Sequence, residues 1–135
     1  MIDIQHLQKD NRDLIIVTLK GRLTAEEYDV FLPHFESEIR HFTDLLILFD
    51  LSDFEGWQAR SLWRKLSFNS NHRTSLAKIA IVGPLRRTRW MEKACRPLSY
   101  HTLKRFRSRE SNIAHSWIVE SFTEKLRTRI WDLGF

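Results

Sequence analysis

The sequence has one cysteine, Cys95, in 135 residues, so no internal disulfide framework and no zinc–thiolate site can form. Glycine and proline are also scarce, at 4 and 3 residues, which excludes collagen-like and linker-rich chains. Long hydrophobic runs are missing. The longest, Leu45-Leu-Ile-Leu-Phe49, has the length of a buried strand and falls far short of the ~20 residues of a membrane-spanning helix. The N-terminus lacks the apolar core of a signal peptide, so the expected location is the cytoplasm. No phosphate-binding glycine loop, metalloprotease helix or nucleophile elbow occurs, and no cofactor is expected.

What the chain has is a foldable balance. It is 42% hydrophobic and 29% charged, enough apolar surface for one domain with its own core. The net charge of +5 is unevenly spread. Residues 1–67 hold 8 Lys+Arg against 12 Asp+Glu, whereas residues 68–135 hold 14 against 5.

Periodicity divides the chain into alternating elements. Ile2, Ile4 and Leu7 predict a short strand, and Leu14–Leu19 a second, joined by a polar turn as a hairpin. Thr24-Ala-Glu-Glu27 is a capping-box pattern that opens a helix carrying Tyr28, Phe31, Leu32, Phe35, Ile39 and Phe42. Pro33 predicts a kink or break near Leu32. Leu45–Leu51 is the expected central strand, and Asp53-Phe-Glu-Gly56 a turn into a helix beginning near Trp57. Ala77–Val82 is a further buried strand, Thr88–Pro97 a short helix, and His101–Arg107 an edge strand. A final helix is expected from Ser108 or Ser111 to about Leu133. The order predicts an α/β sandwich: a mostly parallel sheet of four or five strands, an N-terminal hairpin, and about four helices.

Several segments together resemble the SpoIIAA-like family of small bacterial proteins, placed in the STAS superfamily and compared with CRAL-TRIO domains. They are Gly21-Arg-Leu-Thr-Ala-Glu-Glu-Tyr28 with Leu32-Pro33, Phe49-Asp-Leu-Ser-Asp-Phe-Glu-Gly-Trp57 with Leu62-Trp63, and Lys78-Ile-Ala-Ile-Val-Gly83. Trp90 and the spacing from Phe106 to Ala114-His-Ser-Trp117 match more weakly. The resemblance spans residues 1–118 and implies a helix-flanked sheet acting as a non-enzymatic binding or regulatory module. It leaves residues 119–135 as a continuation of the last helix. STAS-type anti-sigma-factor antagonists carry a phosphorylatable serine in an Asp-Ser-Ser-Gly-like turn. Here that turn is Asp53-Phe-Glu-Gly56, without a hydroxyl, so the resemblance does not extend to a phosphoswitch.

Three groups of residues are candidate sites. Trp57, Trp63 and Trp90, with Asp50 and Asp53 at the carboxyl end of the central strand, are candidates for a small apolar ligand's pocket. Tryptophans in such positions equally suit a core, and the carboxylates equally suit a helix N-terminus. Arg86, Arg87, Arg89, Lys93 and Arg96 are anion-binding candidates, for nucleic acid, an anionic membrane or a phosphorylated ligand. A solvated basic surface explains them too. Ile118, Phe122, Leu126, Ile130 and Leu133 recur at helical spacing as one apolar stripe, from which a homodimer is expected. His34 and His41, seven apart across a proline, fit surface positions better than a metal site, and none is expected. Cys95 beside Lys93 and Arg96 fits a buried helix position better than a reactive thiol. No nucleophile–base set is readable, which disfavours an enzyme. The remaining partner class is a protein.

Overall fold

A computed structural model describes residues 1–9, 12–40, 45–58, 61, 76–96 and 100–119. The main sheet contains β1 (Ile2–Lys9), β2 (Arg12–Leu19), β4 (Leu45–Asp50), β6 (Leu76–Val82) and β7 (Tyr100–Phe106). Their spatial order is β1-β2-β4-β6-β7, with β1 antiparallel to β2 and every later pair parallel. A separate small ladder joins β3 (Gly21–Leu23) to β5 (Phe54–Trp57) in parallel. The three helices among the described residues are α1 (Ala25–Arg40), α2 (Leu85–Cys95) and α3 (Ser111–Val119), the last preceded by a 3₁₀ turn at Ser108–Glu110.

The hairpin and the mostly parallel sheet agree with the periodicity. Leu45 to Phe49 are buried without alternation, as a central strand covered on both faces requires. Below the sheet, α1 supplies Tyr28, Phe31, Phe35 and Ile39, and α2 supplies Met91, Ala94 and Cys95, against Ile15, Val17, Ile47, Phe49, Ile79 and Ile81. On the opposite face, α3 packs Ala114 and Ile118 over Leu14, Leu46, Leu48, Ala80, Val82 and Phe106. Parallel neighbours joined in chain order place their crossover helices on one side, which is why α1 and α2 share a face.

The capping box forms as the sequence predicts. Glu27 N–H donates to Thr24 Oγ1 at 3.1 Å, and Thr24 N–H donates to Glu27 Oε1 at 3.3 Å. Burial pushes the Glu27 carboxyl up, but the Thr24 backbone bond and the Met1 amino group, 3.4 Å away, outweigh it and hold its pKa below the ordinary value. Such a cap contributes about 1 kcal/mol to helix stability.

Two local expectations change. Helix α1 continues through Pro33 to Arg40 without a break. Proline removes one N–H···O bond, but Phe31, Phe35 and Ile39 anchor both halves of the helix in the core, and Pro33 itself lies on the exposed side. The second change is at Trp57, which ends strand β5 where a helix start was expected. Gly56 has φ +119°, which no α-helix accommodates, and the ladder to β3 holds Phe54–Trp57 extended. With no helix starting at Trp57, Asp50 and Asp53 have no N-terminus there to cap. Most of the helix expected beyond Trp57, and the last helix beyond Val119, lies outside the described residues.

Candidate functional site

The carboxyl ends of β4 and β5 and the first turns of α2 converge on an aromatic cluster. Phe54 and Trp57 from β5, Trp90 from α2 and Tyr28 from α1 meet edge to face or tilted. Trp57 lies 5.4 Å from Tyr28, 5.6 Å from Phe54 and 6.1 Å from Trp90, and Phe54 lies 5.8 Å from Trp90. The structure therefore brings Trp57 and Trp90 together, although they are 33 positions apart. Trp63 lies outside the described residues.

Arg87 belongs to this cluster. Its guanidinium carbon sits 5.6 Å from the centre of the Phe54 ring. The local order Leu85-Arg-Arg-Thr-Arg-Trp90 accounts for the placement. At ~100° per residue, Arg87 turns toward the flank of Trp90 while its neighbours Arg86 and Arg89 turn outward.

Two donors in the cluster are unusual. Trp57 is 3% exposed, and its indole Nε1 is buried without a hydrogen-bond partner. The Arg87 Nε is likewise buried and unpartnered. An unmet buried donor costs about 1–3 kcal/mol. Tyr28 is kept a neutral phenol, its pKa raised by burial and then by Asp29 and Glu36.

Asp50 and Asp53 play smaller parts. An Asp50 carboxylate oxygen accepts the Ser52 N–H at 3.0 Å and closes the turn after β4. The Asp53 side chain is exposed, while its backbone carbonyl accepts the Gly21 N–H at 2.8 Å and starts the small ladder. Neither carboxylate touches the tryptophans through any bond among the described residues.

The other basic residues form a different surface. Arg86, Arg89, Lys93 and Arg96 recur at i, i+3, i+7 and i+10, so they share one helix face about 80° wide and ~15 Å long. All four are exposed, and no carboxylate among the described residues lies within ion-pair distance of them. The β7 cations go elsewhere, as strand alternation predicts. Arg105 pairs with Glu92 of α2 at 3.2 Å, while Lys104 sits on the other face over the rings of Phe106 and Trp117.

The remaining candidates are placed as follows. Ile118 is fully buried in the chain's own core under α3, so it is not available to a partner; Phe122, Leu126, Ile130 and Leu133 lie outside the described residues. His34 is exposed near Glu38, at 3.9 Å, and His41 is outside the described residues. No group of three or more metal-ligating side chains occurs among the described residues. Cys95 is buried, and desolvation, reinforced by Glu92, drives its thiol pKa far above the ordinary value. It has no reactive thiolate.

Residues 14–119 match the family model described as SpoIIAA-like. The chain belongs to the SpoIIAA-like family. Among solved structures, it is similar to an uncharacterized protein of the DUF3478 family with a SpoIIAA-like fold from Shewanella loihica PV-4. The two are 19% identical with a TM-score of 0.56, over 87% of this chain and 93% of that one. At that identity the likeness is one of fold. None of the curated proteins compared matches the chain significantly. No helix among the described residues is long and apolar enough to cross a membrane.

Sequence reasoning missed one feature. A groove of about 430 Å³ runs between α1 and the edge strand β1, lined by Ile2, Ile4, Val30 and Phe31 together with the polar Glu26, Glu27 and His34. Its signal is Val30, 74% exposed and off the buried face of an otherwise regular amphipathic helix.

Proposed function

We propose that this SpoIIAA-like chain is a non-enzymatic regulatory binding module that takes a small apolar ligand against the Trp57–Trp90 cluster. The observation that carries this reading is the pair of buried, unpartnered donors at Trp57 Nε1 and Arg87 Nε among aromatic rings. A ligand with an apolar body and one carbonyl or carboxylate acceptor fits both features. The rings supply apolar contact and the donors fix orientation. Arg87 favours a carboxylate, since a charge-assisted bond is roughly twice as strong as a neutral one.

Trp57→Phe tests this directly. Phenylalanine keeps most of the apolar area and removes the indole N–H. The stability of the free protein is expected to stay equal or rise, while affinity for an acceptor-bearing ligand falls about tenfold, the ~1.4 kcal/mol of one hydrogen bond. Thermal-shift titrations across fatty acids and isoprenoid alcohols read both quantities. Blank titrations across the whole panel oppose the reading.

A second reading, binding of nucleic acid, an anionic membrane or a phosphate group, is favoured by the α2 face of Arg86, Arg89, Lys93 and Arg96. If four phosphates are neutralised there, binding to duplex DNA falls with salt at a log–log slope of about −3.6. Arg89→Glu with Lys93→Glu is expected to abolish heparin retention without changing the thermal midpoint. Retention unchanged in that variant rejects this face.

The homodimer expected from the C-terminal stripe is part of the same proposal, carried by Phe122, Leu126, Ile130 and Leu133. Removing residues 121–135 is expected to turn a dimer into a monomer in sedimentation analysis. A monomer both before and after rejects it.

A further inference from the structure

The basic stripe on α2 points straight out from the sheet. At ~100° per residue, the buried Thr88, Met91, Ala94 and Cys95 share one arc of the helix, and Arg86, Arg89, Lys93 and Arg96 centre about 180° from it. The one carboxylate of α2, Glu92, lies at the border of the stripe and is paired with Arg105 at 3.2 Å.

Helix α1 stands on the same face of the sheet and carries the opposite charge. Its buried Tyr28, Phe31, Phe35 and Ile39 leave Glu26 and Asp29 on the outward arc, both exposed. Arg40, the one lysine or arginine of α1, lies ~16 Å along the axis from Asp29. Both helices start at the carboxyl edge of the parallel strands, α1 after β2 and β3 and α2 after β6, so Glu26 and Asp29 are level with Arg86 and Arg89. Five strands ~4.8 Å apart span about 20 Å, so the two helices stand side by side within that breadth, both packed directly on the sheet.

A flat anionic surface laid on the α2 stripe therefore rests on α1 as well. It meets the Glu26 and Asp29 carboxylates inside the ~8 Å over which charges act at physiological salt. A narrow polyanion laid along α2 passes clear of them. Duplex nucleic acid carries one phosphate per ~1.7 Å of its axis, so the ~15 Å stripe spans about nine, twice what its four cations neutralise. Trp90, beside the stripe, packs against Phe54 and Trp57 rather than standing out as a platform for unpaired bases. We propose that the α2 stripe binds the phosphate backbone of duplex nucleic acid without reading its sequence, and that Glu26 and Asp29 of α1 turn anionic bilayers away. The inference rests on the α2-face reading above and commits that face to one partner.

The test compares the full chain on a short DNA duplex, by fluorescence anisotropy, and on vesicles of equal phosphatidylglycerol and phosphatidylcholine, by co-sedimentation, both at about 50 mM salt. Binding per accessible phosphate is expected to be at least about tenfold tighter on the duplex, and equal on a duplex of shuffled sequence. Arg86→Ala, Arg89→Ala, Lys93→Ala and Arg96→Ala are each expected to make the log–log salt slope shallower by about 0.9. Glu26→Gln with Asp29→Asn, at two exposed positions, is expected to strengthen vesicle binding about tenfold while duplex affinity changes less than about threefold. The proposal is overturned if the parent protein binds vesicles as tightly as duplex, or if the double α1 variant leaves vesicle binding unchanged. Heparin retention carried by the stripe without duplex binding also overturns it, and points to an acidic protein at the same face. Absence of heparin retention in the parent protein instead removes the α2-face reading itself, and this inference with it.

Discussion

Phe35→Ala is expected to destabilise the protein by about 3–5 kcal/mol, enough to leave a large unfolded fraction near 37 °C. Phe35 is fully buried where α1 crosses the central strand. It stacks on Phe31 at 5.6 Å and tilts against Phe49 of β4 at 5.5 Å. Truncation removes the hydrophobic transfer energy of the ring and leaves a cavity between rigid neighbours. The aromatic pair energies, about 0.5–1.5 kcal/mol each, are lost with it. The damage also reaches the candidate site, because α1 carries Tyr28 to the aromatic cluster. Phe35→Leu keeps much of the volume and is expected to restore over half of the loss. Thermal and urea unfolding of both variants checks the ranking, and an Ala variant within 1 kcal/mol of the parent contradicts the packing described for α1.

Gly83→Ala is expected to cost about 2–5 kcal/mol, from backbone strain and overpacking together. Gly83 has φ +150°, a conformation that side-chain-bearing residues rarely adopt. A Cβ there would lie 3.0 Å from Leu51 Cβ and 3.1 Å from the Leu51 carbonyl carbon. The backbone cannot retreat easily. Gly83 N–H donates to the Phe106 carbonyl at 3.0 Å, and Leu51 N–H donates to the Val82 carbonyl at 2.7 Å. The glycine thus fixes where β6 ends and where α2 begins, two residues later. Any shift is passed on to Arg87 and Trp90. The variant is therefore expected to lose near-ultraviolet circular dichroism from the aromatic cluster along with stability. A stable variant with an unchanged aromatic signal contradicts the close approach to Leu51.

The main sheet was legible because each strand carries its own signal. Leu45–Phe49 is apolar on both faces, Thr24 and Glu27 announce the first helix, and Lys104 and Arg105 alternate across β7. The β3–β5 ladder was not legible. Gly21–Leu23 is three residues long, and its pairing with Phe54–Trp57 is a long-range contact that no local periodicity encodes. Proximity of Trp57 and Trp90 was only suspected, since the turn of Arg87 away from Arg86 and Arg89 depends on where α2 starts. That start is set by Pro84 and Gly83, one boundary three residues earlier than Thr88. The basic run consequently reads as one patch in sequence and separates into two roles in space. Four residues form a solvent stripe, and one is tucked over an aromatic ring. The β1 groove escaped because each half is ordinary alone, an apolar edge strand and one exposed valine.

On the proposed function, the buried donors at Trp57 and Arg87 await an acceptor. The most direct measurement is the indole ¹⁵N–¹H signal of Trp57, assigned by its loss in Trp57→Phe, during titration with decanoate. A hydrogen bond formed at Nε1 is expected to move the indole proton downfield in a saturable way, with Arg87 Nε shifting at the same midpoint. A Trp57 indole signal that stays in place at millimolar decanoate, while the remaining spectrum is that of the folded protein, contradicts the claim.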